Sequence, residues 1–132
     1  ASRFPEPLAV AACIPSHSAA PVYTEGILSR CCDWATLERT NPFPERGSAR
    51  ELLNEILSVS DLRHLARPRR TAGCVIVGGA RDAYIPRYST MIAHYLRPDA
   101  DLRWIDMGHV TSFVLGRGAF VQAIADSLSQ NP

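Results

Sequence analysis

Lysine is absent from this sequence of 132 residues, and all fourteen basic residues are arginines, spread through every segment as a compositional bias. Together with thirteen acidic residues they give a net charge of +1, which provides no electrostatic basis for a nucleic-acid partner. Long apolar runs are absent as well. The longest, residues 8–14, is far shorter than a membrane span, so we expect no transmembrane segment.

Motifs that hold metals or phosphates are also missing. The Gly78-Gly79-Ala80 turn is not followed by Gly-Lys-Ser/Thr and lacks a dinucleotide fingerprint. No C-x-x-C pair or other spacing typical of zinc ligands occurs among the cysteines, which are Cys13, Cys31, Cys32 and Cys74. We expect these to be reduced and mostly buried, which favours an intracellular location. The sequence therefore predicts no metal and no organic cofactor.

The first half of the chain combines one apolar run with helical patterns. The run at residues 8–14 predicts a strand covered on both faces. Residues 22–38 are predicted to be helical, with a break at Cys31-Cys32-Asp33 and Asp33 as the cap of the second part. Ser48 and Glu51 form a capping box before a helix, whose apolar stripe consists of Leu52, Leu53, Ile56 and Leu57.

The second half alternates strands and helices. Strands are predicted at 74–77 and 102–106, a helix after Pro86, and a last helix over 118–129 whose apolar stripe is Phe120, Val121, Ile124, Ala125 and Leu128. This order indicates a parallel sheet with right-handed crossovers. The predicted class is α/β, with about three parallel strands, flanking helices, a helical insertion at 22–65 and a strand-helix-strand-helix unit at 72–132.

Asp82 and His109 are the strongest candidates for chemistry. Each follows a predicted strand. They are 27 positions apart, and the segment between them holds one helix and one strand, which brings both to the same end of the sheet. A histidine can take a proton from a serine when a carboxylate fixes its tautomer and stabilises the imidazolium. An acid after one strand and a histidine after the next, in that order, is typical of an α/β-hydrolase triad. The triad's third member, a serine on a G-x-S-x-G turn, is absent from the sequence.

Other polar residues offer alternatives. Asp106, three residues before His109, is the rival acid, although its place at the end of a strand favours a structural role. His17, between Ser16 and Ser18 in the loop after the first strand, is a candidate for lining a pocket. His64 and His94 are predicted to be solvated. The arginine-rich segment 67–71 is predicted to be a solvated linker.

Several segments resemble the α/β-hydrolase domain-containing 18 family. They are Val22-Tyr23-Thr24-Glu25-Gly26-Ile27-Leu28-Ser29, Asp33-Trp34 with Leu37-Glu38, Asp82-Ala83-Tyr84-Ile85-Pro86-Arg87, Gly108-His109-Val110-Thr111-Ser112-Phe113-Val114-Leu115, Gly118-Ala119-Phe120 and Gln122-Ala123-Ile124. The similarity covers nearly the whole chain and is most specific in its last third.

The resemblance implies a serine hydrolase with Asp82 as the triad acid and His109 as the base. It also implies that the chain is the C-terminal half of the hydrolase fold, with residues 1–5 ending the helix that follows an upstream nucleophile. The expected activity of the full-length protein is hydrolysis of acyl esters, small or lipid, under a lid formed by the helical insertion. We expect this chain alone to be inactive and prone to aggregate, since it lacks the serine and part of its sheet.

Two alternatives remain open from the sequence. The chain could be a non-catalytic binding module that pairs its exposed sheet edge with another chain, or part of a pseudoenzyme that never had the serine.

Overall fold

A parallel β-sheet between helices forms the centre of the structure. The computed structural model describes residues 8–65 and 73–130. The predictions for residues 1–5 and for the linker at 67–71 lie outside these ranges. The strands are β1 (Val10–Cys13), β2 (Cys74–Gly79) and β3 (Asp101–Ile105). The helices are α1 (Ala20–Thr24), α2 (Trp34–Arg39), α3 (Ala49–Leu57), α4 (Arg87–Leu96), α5 (His109–Val114) and α6 (Arg117–Ser129).

The sheet has the order β1-β2-β3 within the described ranges, and both strand pairs are parallel. Val10 pairs with Cys74, and Val75 pairs with Asp101. The predicted α/β class with about three parallel strands is confirmed. The expectation that the first strand is covered on both faces is wrong: β1 is shorter than 8–14 and only half-buried, whereas the central β2 is buried along its length. β1 lies at an edge of the described sheet, which explains its lower burial.

The two faces of β2 contact different layers. Val75 and Val77 lie in a core cluster with Phe120 and Ala123 of α6. Because successive strand residues point to opposite faces, Cys74 and the other even-numbered residues of β2 lie on the second face. This second face packs against α4. The sheet is therefore the middle layer of an α/β/α arrangement.

α6 buries Phe120 of the predicted apolar stripe, but the prediction is wrong for the other members, Val121, Ile124, Ala125 and Leu128, which are exposed. Phe120, Ala123 and Ser127 are buried, and the Ser127 hydroxyl donates to the Ile124 carbonyl. This inner face contacts β1 and β2, whereas most of the other apolar side chains of α6 point outward. With those of the neighbouring α5, the exposed apolar residues are Val110, Phe113, Val114, Leu115, Val121, Ile124 and Leu128.

α4 shows the same arrangement of small residues inside. Ser89, Thr90 and Ala93 are buried, whereas Tyr88 and Tyr95 are exposed. Pro86 is the residue before the first helical turn, as expected for a residue with no N–H to donate. The hydroxyls of Ser89 and Thr90 both have partners in the loop after β1, so α4 is attached to that loop by hydrogen bonds.

The segment between β1 and β2 is helical where the structure describes it. The Asp33 carboxylate accepts the Thr36 N–H, and Ser48 with Glu51 forms the predicted capping box. The Ile27 N–H donates to the Ala83 carbonyl at 2.7 Å, which fixes this segment to the loop after β2. None of the helices in the described ranges has the length and apolar character needed to cross a bilayer.

The outward sides of α5 and α6 generate a prediction about solubility. Soluble monomers rarely expose so many apolar side chains on neighbouring helices. We therefore expect the 132-residue chain, expressed alone, to self-associate, and the double substitution Val121→Glu/Ile124→Glu to increase the monomeric fraction in size-exclusion chromatography with light scattering. Val59→Glu, on a side chain of another segment that is more exposed than either, is the control and should have little effect. A monomeric parent chain that unfolds cooperatively would contradict the prediction.

Candidate active site

Asp82 lies three residues after the end of β2, in the turn that leads to α4. Its Oδ1 accepts the backbone N–H groups of Tyr84 and Ile85 at 2.7 and 2.9 Å. The side chain is 2% exposed. An aspartate that bonds the backbone two and three residues ahead is a common turn device, and here it also fixes the direction of the second carboxylate oxygen.

That second oxygen contacts His109. The Asp82 Oδ2 lies 2.8 Å from Nδ1 of His109, the first residue of α5. Because β2 and β3 are parallel neighbours, their carboxyl ends lie at the same edge of the sheet, and three or four residues beyond each strand are enough for the side chains to meet.

The contact determines which imidazole nitrogen is free. A carboxylate only accepts hydrogen bonds, so the hydrogen of a neutral His109 is assigned to Nδ1. Nε2 then carries the lone pair and can accept a proton. The imidazole side chain is 27% exposed, compared with 2% for the carboxylate. The buried acid is therefore inaccessible to solvent while the base retains an open side.

Two aromatic rings contact the His109 imidazole. The centroid of the Tyr84 ring lies 4.9 Å away and that of Phe113 lies 5.5 Å away, the latter edge-on. Phe113 in turn packs against Phe120 of α6. Tyr84 belongs to the loop whose backbone Asp82 holds. The same turn thus provides both the carboxylate and one of the rings that restrict the imidazole.

Asp106, the alternative acid, is paired with an arginine. Asp106 forms a two-point ion pair with Arg81, in which Arg81 Nε lies 2.6 Å from Oδ1, and both side chains are 71% exposed. This agrees with the structural role that its position favours. His64 is exposed, as predicted. The expectation for His94 is wrong: it is half-buried, and its Nδ1 is buried with no hydrogen-bond partner in the described part of the chain.

His17 is buried, and its surroundings include residues that the sequence analysis did not identify. Its Nδ1 lies 2.6 Å from Ser89 Oγ, and its Nε2 lies 3.9 Å from Asp61 Oδ2. Ser16 also contacts Ser89. The sequence predicts Asp61 at the start of a short helical turn and Ser89 as an ordinary residue of a helix. No sequence signal connects positions 17, 61 and 89.

The cysteines are free, but the expectation that they are mostly buried is wrong. Cys74 is buried, Cys13 and Cys32 are half-buried and Cys31 is exposed. Burial raises the pKa of the Cys13 and Cys74 thiols, which makes both poor nucleophiles at neutral pH. Within residues 8–65 and 73–130 no three His, Cys, Asp or Glu side chains are grouped so that they could hold a metal ion.

The double role of Asp82 generates a prediction about stability. Asp82→Ala removes the acceptor of two backbone N–H groups and should lower the free energy of unfolding by about 2–3 kcal/mol. Asp82→Asn retains an acceptor oxygen and should cost about 1 kcal/mol. Asp106→Ala, at an exposed ion pair, is the matched control and should change little. Chemical denaturation of the full-length protein measures all three. Equal stability of the alanine and asparagine variants at position 82 would contradict the assigned backbone role.

Comparison with known families completes the description of the site. The family model described as "Alpha/beta hydrolase domain containing 18" matches residues 1–45 and 41–130, which is nearly the entire chain. No solved structure matches the chain. The parallel sheet with its flanking helices fits part of an α/β-hydrolase fold. The chain belongs to the α/β-hydrolase domain containing 18 family.

Proposed function

We propose that this chain supplies the acid and the base of a serine-hydrolase triad, and that the nucleophilic serine lies upstream of it in a longer protein. The observation that carries the proposal is the 2.8 Å contact between Asp82 Oδ2 and His109 Nδ1 at the ends of neighbouring parallel strands. Membership of a hydrolase family supports it. In this proposal the 132 residues form the C-terminal part of the catalytic domain.

The first half of the proposed reaction forms an acyl-enzyme. The serine Oγ attacks the carbonyl carbon of an ester while His109 Nε2 takes the hydroxyl proton. The Asp82 carboxylate accepts the Nδ1–H and stabilises the imidazolium. The C–O bond to the leaving group then breaks, and His109 returns the proton to the departing alcohol. Backbone N–H groups of the upstream part stabilise the oxyanion.

The second half regenerates the enzyme. Water takes the position of the alcohol, and His109 Nε2 accepts one of its protons as the oxygen attacks the acyl carbon. The serine leaves with that proton, and a carboxylic acid is released. The fixed Asp82 carboxylate and the aromatic contacts of His109 support this scheme, because a base that changes partner twice must keep its orientation.

The surroundings of His109 favour an apolar acyl group. Val110, Phe113 and Val114 follow it on α5, and each is more than half exposed. These side chains are suited to contact a hydrocarbon chain beside the base. We therefore infer a lipid ester as the substrate class. The helical segment between β1 and β2, which contacts the loop after Asp82 through Ile27, is proposed as the lid over this surface.

A fluorophosphonate probe tests the proposed triad in the full-length protein. The parent should be labelled on a serine within G-x-S-x-G upstream of residue 1. His109→Ala and Asp82→Asn should each reduce the rate of labelling by about 10³-fold or more, because the serine is then not deprotonated. His64→Ala and Asp106→Asn are the matched controls and should be labelled at the parent rate.

The same experiment separates the proposal from its alternatives. Labelling that is unchanged in His109→Ala contradicts the assignment of the base. A full-length protein that has no upstream G-x-S-x-G serine and is not labelled contradicts the hydrolase proposal and supports a pseudoenzyme or a binding module. The stability of Asp82→Asn, measured in parallel, shows whether lost labelling reflects chemistry or unfolding.

A further inference from the structure

A second polar cluster lies at the carboxyl end of β1, outside the Asp82–His109 pair. His17 follows the strand by four residues and is 4% exposed. Its backbone N–H donates to Ser89 Oγ at 3.0 Å, and its Nδ1 lies 2.6 Å from the same oxygen. Its carbonyl accepts the Leu62 N–H at 2.8 Å. A histidine held this firmly has one defined ring orientation, so the position of its second nitrogen is fixed.

The hydroxyl contacts assign the His17 tautomer. The Ser16 hydroxyl donates to the Ser18 carbonyl at 2.5 Å, so Ser16 Oγ can only accept from Ser89, 2.7 Å away. The single Ser89 hydrogen is then used, and the short contact with His17 requires that Nδ1–H donates to Ser89 Oγ. Each of these three hydrogen bonds then contains one hydrogen, and His17 Nε2 is left as an unprotonated acceptor.

The free nitrogen faces another acceptor. Nε2 lies 3.9 Å from Asp61 Oδ2, beyond hydrogen-bond distance, and has no hydrogen-bond partner among the residues described. Burial lowers the pKa of His17. The Arg63 guanidinium binds both Asp61 oxygens and holds the pKa of that carboxyl down at about 2. Two neighbouring acceptors with no hydrogen between them require a donor from outside.

Both acceptors line an open cavity of about 270 Å³, which we call the polar cleft. Its polar wall includes His17, Glu25, Asn54, Asp61, Arg63 and Tyr88. With a neutral imidazole, the two carboxylates and one guanidinium give the cleft a net charge of −1. Arg63 is committed to Asp61, and Tyr88 donates its hydroxyl hydrogen to Glu25 at 2.8 Å. Among the described residues that line it, the cleft therefore offers acceptors in excess and no unpaired cation for an anionic ligand.

The cluster of His17, Asp61 and Ser89 has the residue types of a catalytic triad, but its serine is not accessible to a substrate. Ser89 has no exposed surface, and its oxygen accepts the His17 backbone N–H in addition to the ring N–H. A substrate carbonyl cannot reach that oxygen. The accessible group is the other ring nitrogen, so the arrangement is suited to binding a donor and not to nucleophilic attack.

We propose that the polar cleft binds the free primary ammonium group of a small amine, with His17 Nε2, Asp61 and Glu25 as its acceptors. An ammonium has three hydrogens to donate, carries the charge that offsets the cleft, and accepts nothing. A phosphate or carboxylate would face two carboxylates. A quaternary ammonium carries the same charge but has no N–H to donate to Nε2. The proposal concerns binding alone and does not depend on the catalytic role of His109.

A pair of ligands that differ only in N–H groups tests the proposal. In the full-length protein with ¹⁵N-labelled histidine, the His17 ring signals are assigned by their loss in His17→Gln. Without ligand, Nε2 should show the shift of an unprotonated nitrogen. Ethanolamine should move that signal saturably, with a millimolar Kd. Choline, its trimethylated counterpart, should bind at least about tenfold more weakly, because it lacks the donors. Inorganic phosphate should not move it.

A charge variant provides the second arm. Glu25→Gln keeps the size of the side chain and an acceptor for Tyr88 but removes the charge, and should weaken ethanolamine binding about fivefold. Glu55→Gln, at an exposed ion pair with Arg46 outside the cleft, is the matched control and should bind as the parent does. The proposal is overturned if ethanolamine and choline bind equally, if neither binds, if phosphate binds instead, or if Nε2 carries the hydrogen in the free protein.

Discussion

The Asp82 carboxylate is the interaction on which the proposed active site depends. One oxygen closes the turn after β2 by accepting two backbone N–H groups, and the other lies 2.8 Å from His109. A buried carboxylate is costly unless it is fully hydrogen-bonded, and here both oxygens have partners. The hydrogen bonds that satisfy the buried carboxylate also orient the His109 imidazole. The turn after β2 and the Asp82–His109 pair therefore form one structural unit.

The two histidines at the carboxyl edge of the sheet, His17 and His109, are held in the same way but are suited to different purposes. In each ring the Nδ1–H donates a hydrogen bond to an oxygen that is itself held in place, and Nε2 keeps its lone pair. The acceptor is Asp82 Oδ2 for His109 and Ser89 Oγ for His17. Their partners differ in charge. A carboxylate stabilises an imidazolium, so His109 is suited to take up a proton. A serine hydroxyl provides no such charge, and burial lowers the pKa of His17, which keeps that ring a neutral acceptor.

Structural features that depend on short-range sequence patterns are predicted well from the sequence. The strands, the caps at Asp33 and Ser48, and the proximity of Asp82 to His109 follow from apolar runs, capping motifs and the parallel order of strand ends. The prediction from sequence fails where tertiary contacts decide which face of a helix is buried. α6 packs Phe120 and Ala123 on the sheet and leaves Ile124 and Leu128 exposed, and a periodic apolar stripe does not encode which of its members face the sheet. The cluster of His17, Asp61 and Ser89 joins three distant segments with no motif, and only the fold brings them together.

The segment from Asp82 to Tyr88, which comprises the turn after β2 and the start of α4, connects the two polar sites. At one end its Tyr84 ring packs on His109, and at the other the Tyr88 hydroxyl bonds Glu25 in the polar cleft. Between them the Ala83 carbonyl accepts the Ile27 N–H, and Gly26 lies so close to the Tyr84 carbonyl that an added Cβ would come within 2.1 Å. Residues 26 and 27 therefore cannot move towards this turn without a clash, and moving away from it would break the Ile27–Ala83 hydrogen bond. Since the segment from Asp82 to Tyr88 carries both the proposed triad acid and one residue of the cleft wall, a displacement of residues 26 and 27 that shifts this segment would alter the two sites together.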